Sequence, residues 1–273
     1  NHMLQEEILR DMWGFKGMII SDWGGTHSVQ AAVTGLEVEM PGSQYLGQAL
    51  LDSVKAGVIP ESIIDKRVRN ILRVRLAIEP IPASEANKEM ASQPEQQQTA
   101  YEVAKRSIVL LKNKNQLLPI DLNKSKKIAV IGANAVTKQA QGGVGAGVKA
   151  LVEFTPLEGL LQRIGDKAEV RYAQGYPTYT RMERYRGISP IQEADKELMK
   201  EAVALAAESE LVIFVAGNNR EIETEGADRD NIALPMGQAQ LAAALKQANP
   251  NLVTVLVTGA PIELYPIEPI TDA

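Results

Sequence analysis

The 273 residues contain no cysteine, which excludes disulfides and thiolate metal sites and leaves the redox compartment undetermined. Histidine occurs only at His2 and His27, too few for a histidine-rich metal site. No apolar run approaches the ~18 residues of a membrane-spanning helix. There is no basic stripe either. Lys and Arg (29) are interspersed with a slight excess of Asp and Glu (34), for a net charge of -5, which argues against a nucleic-acid surface. What remains is 45% hydrophobic and 23% charged. That composition suits a globular protein with one large or two smaller cores.

Asn1-His2-Met3 reads as a vector remnant and is set aside. A helix is expected over residues 4–12, then a turn at Gly14 to Gly17 and a short buried strand over 18–21. A short helix over 28–34 and an alternating strand ending at Met40-Pro41-Gly42 follow. Helices are expected over 44–56 and from Pro60 onward, the second with Ile64, Val68, Ile71, Leu72 and Leu76 on one apolar face. Residues 79–98 hold three prolines, four glutamines and almost no large apolar residue, as a linker would, with helix resuming near Glu95.

Beyond the linker a β/α series begins. Strands are expected over 127–132, 168–172, 211–216 and 252–258, and helices over 156–164, 194–208 and 236–248. Strands alternating with helices of this length imply a parallel sheet with helices on its faces. The first segment has only two strands with the helices around them, too little to close a barrel of eight β/α units.

Two stretches carry candidate chemistry. The first is Ser21-Asp22-Trp23-Gly24-Gly25, at the carboxyl end of the first strand, where parallel α/β folds place ligand sites. From spacing alone Asp22 has two readings: a catalytic acid with Trp23 as a platform for a sugar face, or a turn residue capping the next helix. The second follows the apolar strand 211–216, where Glu221, Glu223, Glu225, Asp228 and Asp230 crowd beside Arg220 and Arg229. Most of these suit a solvated acidic loop, and one could be a general acid. Glycoside cleavage needs two carboxyl groups, one protonating the leaving oxygen while the other attacks or activates water. The run Gly142 to Gly147 is not a phosphate loop. It lacks G-x-G-x-x-G spacing, has no Lys-Ser/Thr ending, and starts ten residues after the strand. It reads as a flexible loop bordering a site.

The motifs themselves say more. Trp13-Gly14-Phe15-Lys16-Gly17 followed by Ser21-Asp22-Trp23 resembles the nucleophile segment of glycoside hydrolase family 3, the β-glucosidase family. Gly35-Leu36-Glu37-Val38-Glu39-Met40-Pro41 resembles the family's next barrel strand. Ser107-Ile108-Val109-Leu110-Leu111-Lys112-Asn113, Leu117-Leu118-Pro119 and residues 127–134 resemble the entry to its second α/β domain. Glu225-Gly226-Ala227-Asp228-Arg229, with Leu234-Pro235 and Gln238, resembles the motif carrying the acid/base glutamate.

The resemblance implies an α/β fold: a parallel-sheet α/β sandwich over 99–273, truncated at its C-terminus, preceded over 4–78 by the end of a truncated (β/α)8 barrel. It implies a retaining exo-β-glycosidase, most closely a β-glucosidase, with Asp22 as nucleophile, Glu225 as acid/base, and Trp23 and Met40 lining the sugar site. No metal or organic cofactor is implied. The expected partner is a β-linked oligosaccharide or an aryl or alkyl glucoside. The chain is expected to be an inactive or nearly inactive fragment that self-associates through exposed barrel surface. The alternative is a non-catalytic carbohydrate-binding α/β module. Glucose, xylose and arabinose are not distinguished, and localisation stays open, since an excised fragment would lack any leader.

Overall fold

A computed structural model describes residues 1–78, 93–140, 150–180, 182–183, 186–190, 193–226 and 228–273. The chain forms two compact units, Asn1–Ala91 and Ser92–Ala273.

In the first unit a π-wound helical segment, Met3–Met12, leads into strand β1 (Ile20–Trp23). Helix α1 (Gln30–Thr34) connects it to β2 (Val38–Met40), which pairs with β1 in parallel, Trp23 opposite Met40. Helices α2 (Gln48–Lys55) and α3 (Glu61–Ala77) complete the unit. The strand expected over 18–21 is shifted, so Asp22 lies inside β1. The helix expected from residue 44 starts at Gln48, because the buried Glu39 carboxylate accepts from the Tyr45 (2.9 Å) and Leu46 (2.7 Å) N–H groups and holds them in a turn.

Helix α3 departs further from expectation. Its Val68, Leu72 and Leu76 are exposed, while Arg67 and Asn70 are buried. The reason lies in the side chains they meet. Glu37 accepts from Arg67 Nη1 (2.8 Å), Asn70 Nδ2 (2.9 Å) and Arg10 Nη2 (2.7 Å), and also from the Ile19 N–H (2.6 Å). Glu6 pairs with Arg67 and Lys66. A polar network occupies the place of an apolar seam, and buried charges persist only when paired in this way.

The second unit begins with helix α4 (Pro94–Ser107), close to the expected resumption at Glu95. Four parallel strands follow: β3 (Lys127–Ile131), β4 (Glu169–Ala173), β5 (Leu211–Gly217) and β6 (Leu252–Val257), in the order β4-β3-β5-β6. Helices α5 (Pro156–Ile164), α6 (Lys196–Ala207) and α7 (Gln238–Ala248) cover the sheet. The strand period of two divides the core. Ala129, Ile131, Val212, Phe214 and Ala216 pack with Ala202, Leu205 and Leu241 on one face. Ile128, Val130, Leu211, Ile213 and Val215 pack with Ile164 on the other. β5 is buried along its whole length, which accounts for its unbroken apolar sequence.

Local signals set the helix starts. Thr155 and Glu158 form a reciprocal capping box before Pro156, and the Asp195 carboxylate accepts from the Glu197 and Leu198 N–H groups. α7 starts at Gln238, two residues later than expected, because Met236 and Gly237 both have positive φ (57° and 66°). The strand order has its switch point between β3 and β5, where doubly wound sheets open a crevice at the carboxyl ends. The Gly142 to Gly147 run and most of the expected linker lie outside the described residues.

Candidate active site

Asp22 is exposed near the end of β1. Its Oδ1 accepts from the Trp23 N–H at 2.7 Å, and its carbonyl accepts from Gly25 N–H at 3.0 Å. It does not cap the next helix. Val29 holds the cap position of α1, without a side-chain cap. Trp23 is 71% exposed. Met40, opposite it across the strand pair, is held by Ser21: the Met40 N–H donates to Ser21 Oγ at 2.9 Å, and Gly24 N–H donates to the Met40 carbonyl at 2.7 Å. The first unit thus gathers Asp22, Trp23 and Met40 at one pair of strand ends.

The network under these strands escaped the sequence reading. Arg10 donates to the Gly17 and Gly35 carbonyls at 3.0 and 3.3 Å and to Glu37, while Glu37 receives Ile19 N–H. Both strands are therefore tied from below by charged side chains. The signal available in sequence was the pair of acidic residues at 37 and 39 in an otherwise apolar strand.

In the second unit the acidic loop leaves β5 at the switch point. Gly217 has φ 105°, and a Cβ there would lie 2.1 Å from the Val257 carbonyl oxygen, so only glycine fits. Asn134, from the turn after β3, donates from Nδ2 to the Asn218 carbonyl at 3.0 Å. Tyr176 donates from its hydroxyl to the Val215 carbonyl at 2.8 Å and receives Asn134 N–H at 3.1 Å. Burial drives the Tyr176 phenol far above its usual range, so it stays a protonated donor. Asn219 Oδ1 accepts from the Glu221 (2.9 Å) and Ile222 (3.1 Å) N–H groups, folding the next residues into a turn.

The acidic residues divide sharply. The Glu223 carboxylate receives Asn218 Nδ2 (2.7 Å), Gly259 N–H (2.6 Å), Ala260 N–H (3.1 Å) and Thr258 Oγ1 (3.1 Å). It is a brace between the β5 loop and the turn after β6. Glu225, two residues on, is exposed. Asp228 and Asp230 are exposed beside Arg229, whose Nη2 donates to the Pro261 carbonyl at 2.7 Å. A cleft of about 290 Å³ opens here, lined by Asn218, Glu221, Asp228 and Arg229 against Tyr179 and Ile188. Among the described residues no three His, Asp or Glu are grouped to hold a metal ion, and no helix is long and apolar enough to cross a membrane.

Residues 108–273 match the glycosyl hydrolase family 3 C-terminal domain. The chain is 35% identical over 286 aligned positions to β-glucosidase BoGH3A of Bacteroides ovatus, covering 96% of this chain and 37% of that protein. It is 32% identical to an exo-α-(1→6)-L-arabinopyranosidase of Bifidobacterium longum, covering 97% of this chain and 34% of the relative. The crystal structure of a family 3 β-glucosidase from Bifidobacterium adolescentis superposes with a TM-score of 0.78 at 28% identity, over all of this chain and 37% of that one. The chain thus spans little more than a third of these relatives. Domain match, near-complete alignment and fold together show that the chain belongs to glycosyl hydrolase family 3.

Proposed function

We propose that this chain is part of a retaining exo-β-glycosidase of the β-glucosidase type, with Asp22 as nucleophile and Glu225 as acid/base. The carrying observation is the contrast between two glutamates of the acidic loop. Four donors converge on Glu223 and fix it as a brace, whereas Glu225 is exposed in the loop that follows β5. Asp22 has the matching character: an exposed carboxylate at a parallel strand end, positioned by a single local hydrogen bond. Trp23 offers a flat exposed face, and Met40 is its partner in the strand pairing, so both are suited to line a sugar ring.

The chemistry is a double displacement. Asp22 attacks the anomeric carbon as Glu225 protonates the leaving oxygen. Water, deprotonated by the Glu225 carboxylate, then releases the sugar with retained configuration. The two carboxyl groups should lie roughly 5–5.5 Å apart in the working enzyme. The chain alone is expected to be inactive or nearly so, because positioning contacts supplied by the rest of the relatives' length are not in it. Glucose is the proposed glycone on the strength of the β-glucosidase relatives, with an arabinopyranosyl unit as the competitor.

The test is hydrolysis of p-nitrophenyl β-D-glucoside and the α-L-arabinopyranoside by the longer protein and its variants. Asp22→Asn should abolish turnover. Glu225→Gln should lower it by several orders of magnitude, with azide restoring activity as a β-glucosyl azide product. Full activity in Glu225→Gln, with loss in Glu223→Gln at unchanged stability, would reverse the acid/base assignment.

A further inference from the structure

We infer, on the reading of Asp22 as nucleophile, that Ser21 is its positioning residue. The Ser21 hydroxyl stands in for a missing rung of the β1–β2 ladder and fixes the backbone that carries the attacking carboxylate.

β1 has one residue too many for its partner strand. Ile20 pairs with Val38 and Trp23 with Met40, so β1 advances three residues while β2 advances two. In a regular ladder Asp22 would stand opposite Met40. Here Trp23 takes that place, and Ser21 and Asp22 share the bulge between the two pairs. A bulge leaves backbone groups without ladder partners, and a partly buried N–H needs one. Ser21 supplies it. The Met40 N–H donates to Ser21 Oγ at 2.9 Å, and the hydroxyl donates in turn to the Asp22 carbonyl at 2.8 Å. The Met40 carbonyl, 3.4 Å away, is the weaker alternative for the same proton. A hydroxyl has one proton and two lone pairs, so it can accept from one strand while donating on the other.

The grip on Asp22 is therefore on its main chain. The Asp22 carbonyl receives Ser21 O–H and, at 3.0 Å, Gly25 N–H. Beyond the bulge Gly24 N–H reaches the Met40 carbonyl at 2.7 Å, and the strands are tied again. The Asp22 carboxylate accepts from the adjacent Trp23 N–H at 2.7 Å, a contact that moves with the same backbone. Removing Ser21 Oγ strands the Met40 N–H and takes one of the two donors from the Asp22 carbonyl. The bulge is then free to relax, and bulges of this kind aim the side chains they carry. A shift of about 1 Å in an attacking group can cost about 100-fold in rate.

The experiment isolates the attack of the nucleophile in the longer protein. The probe is a dinitrophenyl β-D-glucoside with fluorine in place of the hydroxyl next to the anomeric carbon. An Asp22 oxygen bonds to the anomeric carbon, and dinitrophenolate departs with the bonding electron pair, needing no proton from Glu225. The fluorine slows the following hydrolysis, so the glycosyl-enzyme accumulates and peptide mass spectrometry locates it. Ser21→Ala should lower the saturating labelling rate by about 10- to 100-fold, with the half-saturating probe concentration unchanged and labelling still running to completion. Ser21→Thr keeps the hydroxyl and should stay within about threefold of the parent, while Ser21→Val, of the same shape without it, should fall with Ser21→Ala. Ser53→Ala, whose hydroxyl bonds only the Ala49 carbonyl of its own helix, should leave the rate within about twofold. Parent labelling at Asp22 with an equal rate in Ser21→Ala, a Ser21→Val rate equal to that of Ser21→Thr, or a loss only in the final amount of label would each overturn the role of Ser21 alone. A parent left unlabelled, or labelled on another residue, would overturn the nucleophile assignment and the role of Ser21 with it.

Discussion

The Gln238 side-chain amide clasps both backbone groups of Gly217: Oε1 accepts the Gly217 N–H at 2.7 Å, and Nε2 donates to the Gly217 carbonyl at 2.9 Å. Gln238 is fully buried at the start of α7, and Gly217 is the last residue of β5, from which the acidic loop departs. The pair fixes where that loop begins. Gln238→Leu keeps the volume but strands a buried donor and acceptor, at about 1–3 kcal/mol each. The expected outcome is a lower unfolding midpoint of the second unit by chemical denaturation. An unchanged midpoint would show that the clasp carries no net energy.

Glu223 and Glu225 should respond unequally to substitution. Glu223→Gln replaces charge-assisted bonds to Asn218, Gly259 and Ala260 with neutral ones and should cost about 1.5–3 kcal/mol. Glu225→Gln, at an exposed position, should stay within about 0.5 kcal/mol. Paired thermal melts of the two variants check this. Equal destabilisation would remove the distinction on which the acid/base proposal rests.

The elements legible in sequence were those set by local rules. β5 announced itself by a run of apolar residues from Leu211, and α5 by its Thr155-Pro156-Leu157-Glu158 start. Asp22 and Glu225 were candidates through motif resemblance and not through such rules: Asp22 lies within β1, and Glu225 lies in the loop well past the end of β5. What stayed hidden is long-range. Arg67 meets Glu37 thirty positions away and Glu6 sixty-one away, so no window of sequence shows why a polar face of α3 is buried and its apolar face exposed. Gln238 stood out as part of a motif, yet its target, Gly217, is a backbone group that no side-chain pattern reveals.

That network makes the first unit acid-sensitive. Burial would raise the Glu6 carboxyl, but hydrogen bonds from Lys66 and Arg67 outweigh it and hold the group below its ordinary 4.5. A carboxyl depressed in the folded state contributes stability above 4.5 and loses it as pH falls through the folded value. Melts of the first unit followed from neutral pH downward should therefore drop below that point. Glu6→Gln should be less stable by about 3 kcal/mol at neutral pH and lose the acid dependence in that window. A variant with the parent's full pH profile would assign the acid sensitivity to other groups.

Self-association is the last expectation, and it rests on what the described surfaces leave open. Ile108, Val109, Leu110 and Leu111 run in succession after α4, each at least 62% exposed and without a strand partner among the described residues. In the first unit Leu76 is 81% exposed on the face of α3 opposite its buried polar groups. A successive apolar stretch with open backbone groups is a template for pairing with another chain, and contiguous apolar patches of this kind are uncommon on monomers. The chain should therefore form dimers or larger species by light scattering as concentration rises. Val109→Lys with Leu111→Lys should shift the population toward monomer, because a charged strand resists edge pairing. A monodisperse parent at every concentration would mean that these side chains are sheltered in solution by contacts within the chain itself.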